Sequence, residues 1–260
     1  MGLLDGRVAI VSGIGPGMGR SVALAFAREG ADVVLAARTE KAVEGLAAEV
    51  RALGRRALAV PTDIVRPEDC RRLAETAHAE LGRIDVLVNN AFRSEPNDLV
   101  EEAHMDDWRA IFDVNVFGSV GLSQAVIPYM KAQQSGSIVM INSMSMRLIE
   151  PRFGGYAASK GALMTAMQTM AKELGAHGIR VNAVVPGYIW GPALKFYFKQ
   201  LAARQGTTPQ AVYQEIASRT ALGRIPDSDE IAGAVVFFAS DLSRAITGQA
   251  LDVNAGHYFH

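Results

Sequence analysis

The chain has 260 residues, 49% hydrophobic and 20% charged, which supplies ample apolar surface for one α/β core and excludes an intrinsically disordered protein. Its 26 basic and 27 acidic residues nearly cancel, so no global field draws it to nucleic acid or to an anionic membrane. A single cysteine, Cys70, excludes an intrachain disulfide and a cysteine-cluster metal site, and it fits a reducing, cytoplasmic setting.

Met1 leads directly to the apolar segment Val8–Val11 with no basic n-region, and Gly6 stands where a myristoylation signal requires Ser or Thr. The first strand is expected at Arg7–Ser12, followed by Ser12-Gly13-Ile14-Gly15-Pro16-Gly17-Met18-Gly19-Arg20 and a helix over Gly19–Arg28. Glycines between a strand and a helix let the backbone approach a pyrophosphate, which the helix N-terminus stabilises. The spacing departs from the usual G-x-G-x-x-G, and the cluster alone would also serve as a tight turn. Its place after the first strand of a strand–helix–strand unit favours phosphate binding.

The alternation continues with strands at Asp32–Ala37, Ala57–Val60 and Asp85–Asn89 and helices at Lys41–Leu53 and Pro67–Leu81. A long helical pattern covers Asp107–Lys131, then a strand at Ser137–Asn142 and a helix at Gly155–Leu174. Strands at Arg180–Val185 and Ala250–Val253 flank a last helix at Asp229–Ala239. No apolar run in this reading reaches membrane-spanning length. Runs such as Val-Ala-Ile-Val are buried on both faces, so the pattern predicts a doubly wound, seven-stranded parallel sheet with helices on both faces. The stretch of about forty residues before Asp229 exceeds an ordinary connection. Its Trp190, Leu194, Phe196, Tyr197 and Phe198 suit a lid at about 188–226 on a single domain, 1–260.

Two further groupings carry chemistry. Tyr156 and Lys160, four apart on a helix, share one face, and an ammonium near the phenol would pull its pKa towards working pH for general acid/base chemistry. Such a pair is by itself also an ordinary exposed pair. Ser143 follows the fifth strand, where a hydroxyl points into the binding crevice of an open parallel sheet, although a serine there also serves as a turn cap.

Together these spacings resemble the short-chain dehydrogenase/reductase family along essentially the whole chain. The matching motifs are Ser12-Gly13-x-x-x-Gly17-x-Gly19, Asn89-Asn90-Ala91, Val114-Asn115-Val116, Ser143 thirteen positions before Tyr156, Tyr156-x-x-x-Lys160, Pro186-Gly187 and Ile246-Thr247-Gly248-Gln249. The resemblance implies a Rossmann domain, an NAD(P) cofactor and a catalytic set of Asn115, Ser143, Tyr156 and Lys160. It implies that Tyr156 exchanges the substrate proton, Ser143 holds the substrate oxygen, Lys160 assists Tyr156 and the cofactor ribose, and Asn115 holds a proton-relaying water. It places the cofactor against Ser12, Gly13, Gly17, Met18, Gly19, Arg38, Asp63, Ile64, Asn90, Ala91, Tyr156, Lys160, Pro186, Gly187 and Ile189. Three departures stand out: Phe92 where the family has Gly, Gly191 where it has a cofactor-holding Thr, and Asn254-Ala255-Gly256 where Asp-Gly-Gly is common. The last is expected to be benign.

Ala37 lacks the acid that NAD-specific relatives place there, and Arg38 suits a 2′-phosphate, so NADP is expected first and NAD second. The expected substrate is a carbonyl or secondary-alcohol compound, bulky and apolar in view of the lid aromatics, Met144, Met146 and Phe153. No metal is expected, and the resemblance implies a homotetramer or homodimer. Two alternatives remain: a 3-oxoacyl or enoyl thioester reductase, with Lys195, Lys199 and Arg204 at the rim, and a non-catalytic cofactor-binding regulator.

Overall fold

The computed structural model describes residues 2–94 and 96–259. Its strands are β1 (Val8–Ser12), β2 (Asp32–Ala37), β3 (Ala57–Pro61), β4 (Val86–Asn89), β5 (Gly136–Ile141), β6 (Ile179–Pro186) and β7 (Ala250–Val253). Every strand end lies within one residue of its expected place, because long β-branched runs bounded by Gly, Pro and Asn specify strands strongly. The strands form one parallel sheet in the order β3-β2-β1-β4-β5-β6-β7.

The helices are α1 (Met18–Arg28), α2 (Glu40–Ala52), α3 (Pro67–Leu81), α4 (Met105–Phe112), α5 (Ser119–Gln133), α6 (Gly154–Leu174), α7 (Pro192–Gln205), α8 (Pro209–Ser218) and α9 (Ser228–Ala239). One apolar layer joins α1, α2 and α9 to the sheet through residues such as Phe26, Val43 and Phe238. The opposite layer joins α3, α5 and α6 through Leu73, Val126 and Met167. Sheet order reverses between β1 and β4, so the connections leave a crevice beyond their carboxyl ends. Ser12, Asn89 and Ile141 close these strands, which brings the loops that follow them to one rim.

Two expectations about helices need correction. The pattern over 107–131 is two helices joined by a π-helical turn, Asp113–Gly118, rather than one regular helix. Periodicity cannot reveal the extra residue of such a turn, which shifts the hydrogen-bond ladder without breaking the run. Nor does the apolar content there fall short of membrane-spanning length. The run Met105–Gln133 contains a window of mean hydropathy 1.4, but it flanks the sheet, and 44% of that window is buried within the fold.

The stretch 188–226 holds α7 and α8, which were not expected as helices. Their signals were present: Pro192 and Pro209 begin them, Thr208 Oγ1 accepts from Ala211 N–H, and left-handed Gly206 ends α7. Phe198, Val212, Ile216 and Ile225 form a small core of their own. Most of the aromatic residues here pack on one another, with Trp190 on Phe198 and Tyr213. The apolar content that suggested a lid therefore serves largely to hold the two helices together.

Candidate active site

The glycine loop is built by backbone crowding on one side and openness on the other. Gly13 has φ +78°, and a Cβ there would lie 2.4 Å from Ala91 Cα and N. A Cβ on Gly19 would lie 2.3 Å from the Gly13 carbonyl. These two glycines let α1 close on β1 and on the Asn90-Ala91 segment. Asn90 reinforces the approach by donating from Nδ2 to Gly13 O at 2.5 Å. Gly15 faces open space, and a Cβ on Gly17, at φ +145°, would meet only Ser228 Oγ at 3.7 Å. No side chain caps the first turn of α1, so its N–H groups point out with the helix dipole. This combination of an open Gly15–Gly17 cradle and an uncapped helix start fits a dinucleotide pyrophosphate.

Other members of the expected cofactor set lie on the same rim in different roles. Arg38, just after β2, is exposed and has no ion-pair partner among the described residues. Asp63 follows β3; its N–H donates to Asp69 Oδ2, and its Oδ1 accepts from Val65 N–H. Ile64 is buried beside Gly118, where a Cβ would touch its Cγ1 at 2.8 Å. Met18 and Ile189 pack on the first apolar layer. Pro186 ends β6, and the Gly187 N–H donates to Val253 O at 3.4 Å. Ser12 does not reach the crevice: it is fully buried, and its hydroxyl donates to Val88 O at 3.2 Å, tying β1 to β4.

Beyond β5, Ser143 and Tyr156 come together, their hydroxyls hydrogen-bonded to each other. Ser143 Oγ also accepts from Ser145 N–H at 3.2 Å and lies 3.0 Å from Ser145 Oγ. Lys160 is 3% exposed, with Nζ 5.6 Å from the Tyr156 ring centroid and donating to Ile141 O at 2.8 Å. The expectation that the lysine lowers the Tyr156 pKa does not hold for this arrangement. Burial pushes the Tyr156 phenol above its ordinary value, and the Ser143 hydrogen bond offsets part of the rise. Burial likewise lowers Lys160 to about 7, since one neutral carbonyl cannot replace the lost hydration of an ammonium. Nearby, the Asn142 side chain accepts from Ser143 N–H at 2.9 Å, while its buried Nδ2 has no partner among the described residues.

Asn115 lies in the π-helical turn, fully buried. Its Oδ1 accepts from Arg93 N–H at 2.7 Å, and its Nδ2 donates to Arg93 O and Ser159 Oγ, each at 2.9 Å. The side chain thus clamps the segment after Ala91 to α6. Phe92, on that segment, is 61% exposed and meets the Tyr156 ring edge-on at 6.3 Å. Gly191 has extended backbone, and no atom lies within 4 Å of a Cβ built there.

A cavity of about 140 Å³ opens beside Ser143 and Tyr156, lined also by Met144, Ser145, Leu148, Glu150, Phe153, Gly187 and Tyr188. Of the large apolar residues expected at the substrate, Met144 and Phe153 are here, but Met146 and the α7 and α8 aromatics are not. Sequence reasoning missed Leu148, Glu150 and Tyr188. Only Tyr188 carried a signal, as the residue after Pro186-Gly187.

Comparison with known proteins identifies the family. A family model described as enoyl-(acyl carrier protein) reductase matches residues 13–258. The 3-oxoacyl-acyl-carrier-protein reductase of Thermotoga maritima is 33% identical over 97% of this chain and 98% of its own. The 7alpha-hydroxysteroid dehydrogenase of Escherichia coli K12 is 34% identical over 97% of this chain and 94% of its own. The solved structure of carveol dehydrogenase from Mycobacterium avium, in complex with NAD, superposes with a TM-score of 0.93 at 29% identity, covering 99% of each chain. With this likeness running nearly end to end, the chain belongs to the short-chain dehydrogenase/reductase family and is an NAD(P)-dependent oxidoreductase of carbonyl and alcohol compounds.

Proposed function

We propose that the protein transfers hydride between NADP(H) and a bulky apolar ketone or secondary alcohol, with Ser143, Tyr156 and Lys160 as its reactive set. The observation that carries this reading is the Ser143–Tyr156 pair opening onto a cavity walled by Met144, Leu148 and Phe153. The Gly13–Gly19 loop would hold the pyrophosphate, and the bound nicotinamide supplies the hydride acceptor or donor. Arg38, exposed and without an ion-pair partner among the described residues, favours the 2′-phosphate of NADP over NAD.

Tyr156, kept protonated by burial, donates its proton to the carbonyl oxygen as hydride reaches the carbon, which yields the secondary alcohol. Ser143 hydrogen-bonds the same oxygen and stabilises its developing charge. The reverse reaction needs the phenolate, and Lys160, with Nζ 5.6 Å from the ring centroid, is the group placed to favour it once charged. Asn115 positions Phe92 and Ser159 rather than touching substrate.

The exposed Met105 and Phe117, beside a groove that includes Trp108 and Phe112, support a second copy packing on α4 and α5 in a homodimer or homotetramer. The region 188–226 would cover the crevice as a preformed helical lid. The second reading, reduction of an acyl thioester, is favoured by the Thermotoga maritima relative. Specificity constants for a hydrophobic cyclic ketone, a sugar ketone of similar size and a 3-oxoacyl thioester separate these readings. The cyclic ketone is expected to be turned over most efficiently, and higher efficiency on either of the others defeats the apolar-ketone assignment.

A further inference from the structure

We infer that Glu150 and Tyr188 form a hydroxyl-recognising subsite, which selects apolar ketones and alcohols carrying a second hydroxyl away from the reacting carbon. The inference rests on the carbonyl–alcohol reading of the same cavity.

Glu150 is a carboxylate in a cavity wall otherwise built from Met144, Leu148 and Phe153 and neutral polar groups. Among the described residues, no Lys, Arg or His nitrogen lies within ion-pair distance of it. Two other acids that are buried or half-buried are neutralised by an arginine: Asp85 pairs with Arg83 at 2.6 Å, and Asp69 pairs with Arg72 at 2.6 Å. Among the described residues, the one hydrogen bond to Glu150 comes from the Tyr188 hydroxyl, at 3.5 Å. A carboxylate only accepts, at about four lone-pair sites, so most of its capacity is left to whatever occupies the cavity. Packing alone would be served as well by a neutral residue, without the cost of desolvating a charge.

Tyr188 is held rigidly for its part. Its ring stacks on His257 at 5.9 Å and meets Phe198 edge-on at 6.3 Å. His257 is set in turn by Asn254, whose Oδ1 accepts from the N–H groups of Gly256 at 2.9 Å and His257 at 3.1 Å. The Asn254 departure from the family pattern, expected to be benign, thus organises one wall of the subsite. An occupant must donate a hydrogen bond, which excludes anions. Arg219, whose own partner is Glu215, also acts on Tyr188 and His257, which disfavours a second cation. A neutral hydroxyl satisfies both conditions. Glu150 and Tyr188 line the same cavity as Ser143 and Tyr156, so one molecule would carry both the reacting carbonyl and the hydroxyl.

The test uses the full chain with NADPH and three matched decalones, bearing a remote hydroxyl, its methyl ether or a carboxylate. In the wild type kcat/KM is expected to favour the hydroxyl over the ether at least about tenfold, the worth of one hydrogen bond to a charged group. Glu150→Gln should shrink that ratio severalfold and raise the relative efficiency of the carboxylate, because it removes repulsion as well as acceptor strength. Tyr188→Phe, which keeps both ring contacts, should alter the same ratio and serves if the first variant does not fold. Equal efficiency for hydroxyl and ether in the wild type, or a ratio unmoved in the variants, overturns the subsite and leaves the ketone assignment standing. If no decalone is turned over, the ketone assignment fails. Calorimetric binding of the same three probes then decides the subsite: a hydroxyl preference lost in Glu150→Gln upholds it, and no preference overturns it.

Discussion

Lys160 should make the stability of the cofactor-free protein rise with pH. Its ammonium is 3% exposed, donates to one backbone carbonyl at 2.8 Å, and has no carboxylate within ion-pair reach among the described residues. Burial therefore brings its pKa to about 7, whereas an unfolded lysine titrates near 10.5. Between these values the unfolded chain holds a proton that the folded chain has released, so stability increases with pH. One proton contributes at most about 1.4 kcal/mol per pH unit, and since Lys160 is still half-charged at the lower end, the gain from pH 7 to 9 is about 2 kcal/mol. The window closes above that range. Burial raises the Cys70 thiol to about 11 and raises the Tyr156 phenol, and both stay protonated when folded, so their contributions fall as pH rises. The assay is urea unfolding at one protein concentration, read from Trp108 and Trp190 fluorescence, for the wild type and Lys160→Met. The quantity to follow is wild-type stability relative to the variant, in which the other titrations largely cancel. A difference that stays flat or shrinks between pH 7 and 9 refutes a desolvated ammonium at this position.

Tyr156→Phe should leave NADPH binding close to wild type and reduce turnover by about a hundredfold or more, the share of a general acid; steady-state kinetics within a few-fold of wild type would remove Tyr156 from the reaction. Arg38→Ala should weaken NADPH about tenfold and leave NADH nearly unchanged, as fluorescence titration will show, because only NADPH carries the 2′-phosphate. Tighter binding of NADH than of NADPH by the wild type contradicts the cofactor preference. Glycines at the site should differ sharply in tolerance. Gly13→Ala sets a Cβ 2.4 Å from Ala91 backbone at positive φ and should cost several kcal/mol or prevent folding, whereas Gly191→Thr enters open space with extended backbone. Thermal melts of the second variant should stay near wild type, and its NADPH affinity should be equal or higher.

Local chemistry along the chain was enough to specify the sheet. Runs such as Val8–Val11 and Val86–Val88 can be buried only as inner parallel strands, and the intervening amphipathic helices leave few ways to connect them. The same reading located Ser143, Tyr156 and Lys160, because a short strand-end loop and an i, i+4 helical pair keep their geometry in any context. What it could not specify was where each polar atom spends its hydrogen bonds. Ser12 turns to Val88 O, Lys160 to Ile141 O, and Asn115 to Arg93 and Ser159, and each choice depends on a partner remote in sequence. The Lys160 ammonium and the Tyr156 phenol shift through burial, a property of everything packed around them rather than of their spacing. The substrate wall is the extreme case: Glu150, Tyr188 and His257 come from three separate loops with no pattern linking them, and only the folded sheet sets them side by side.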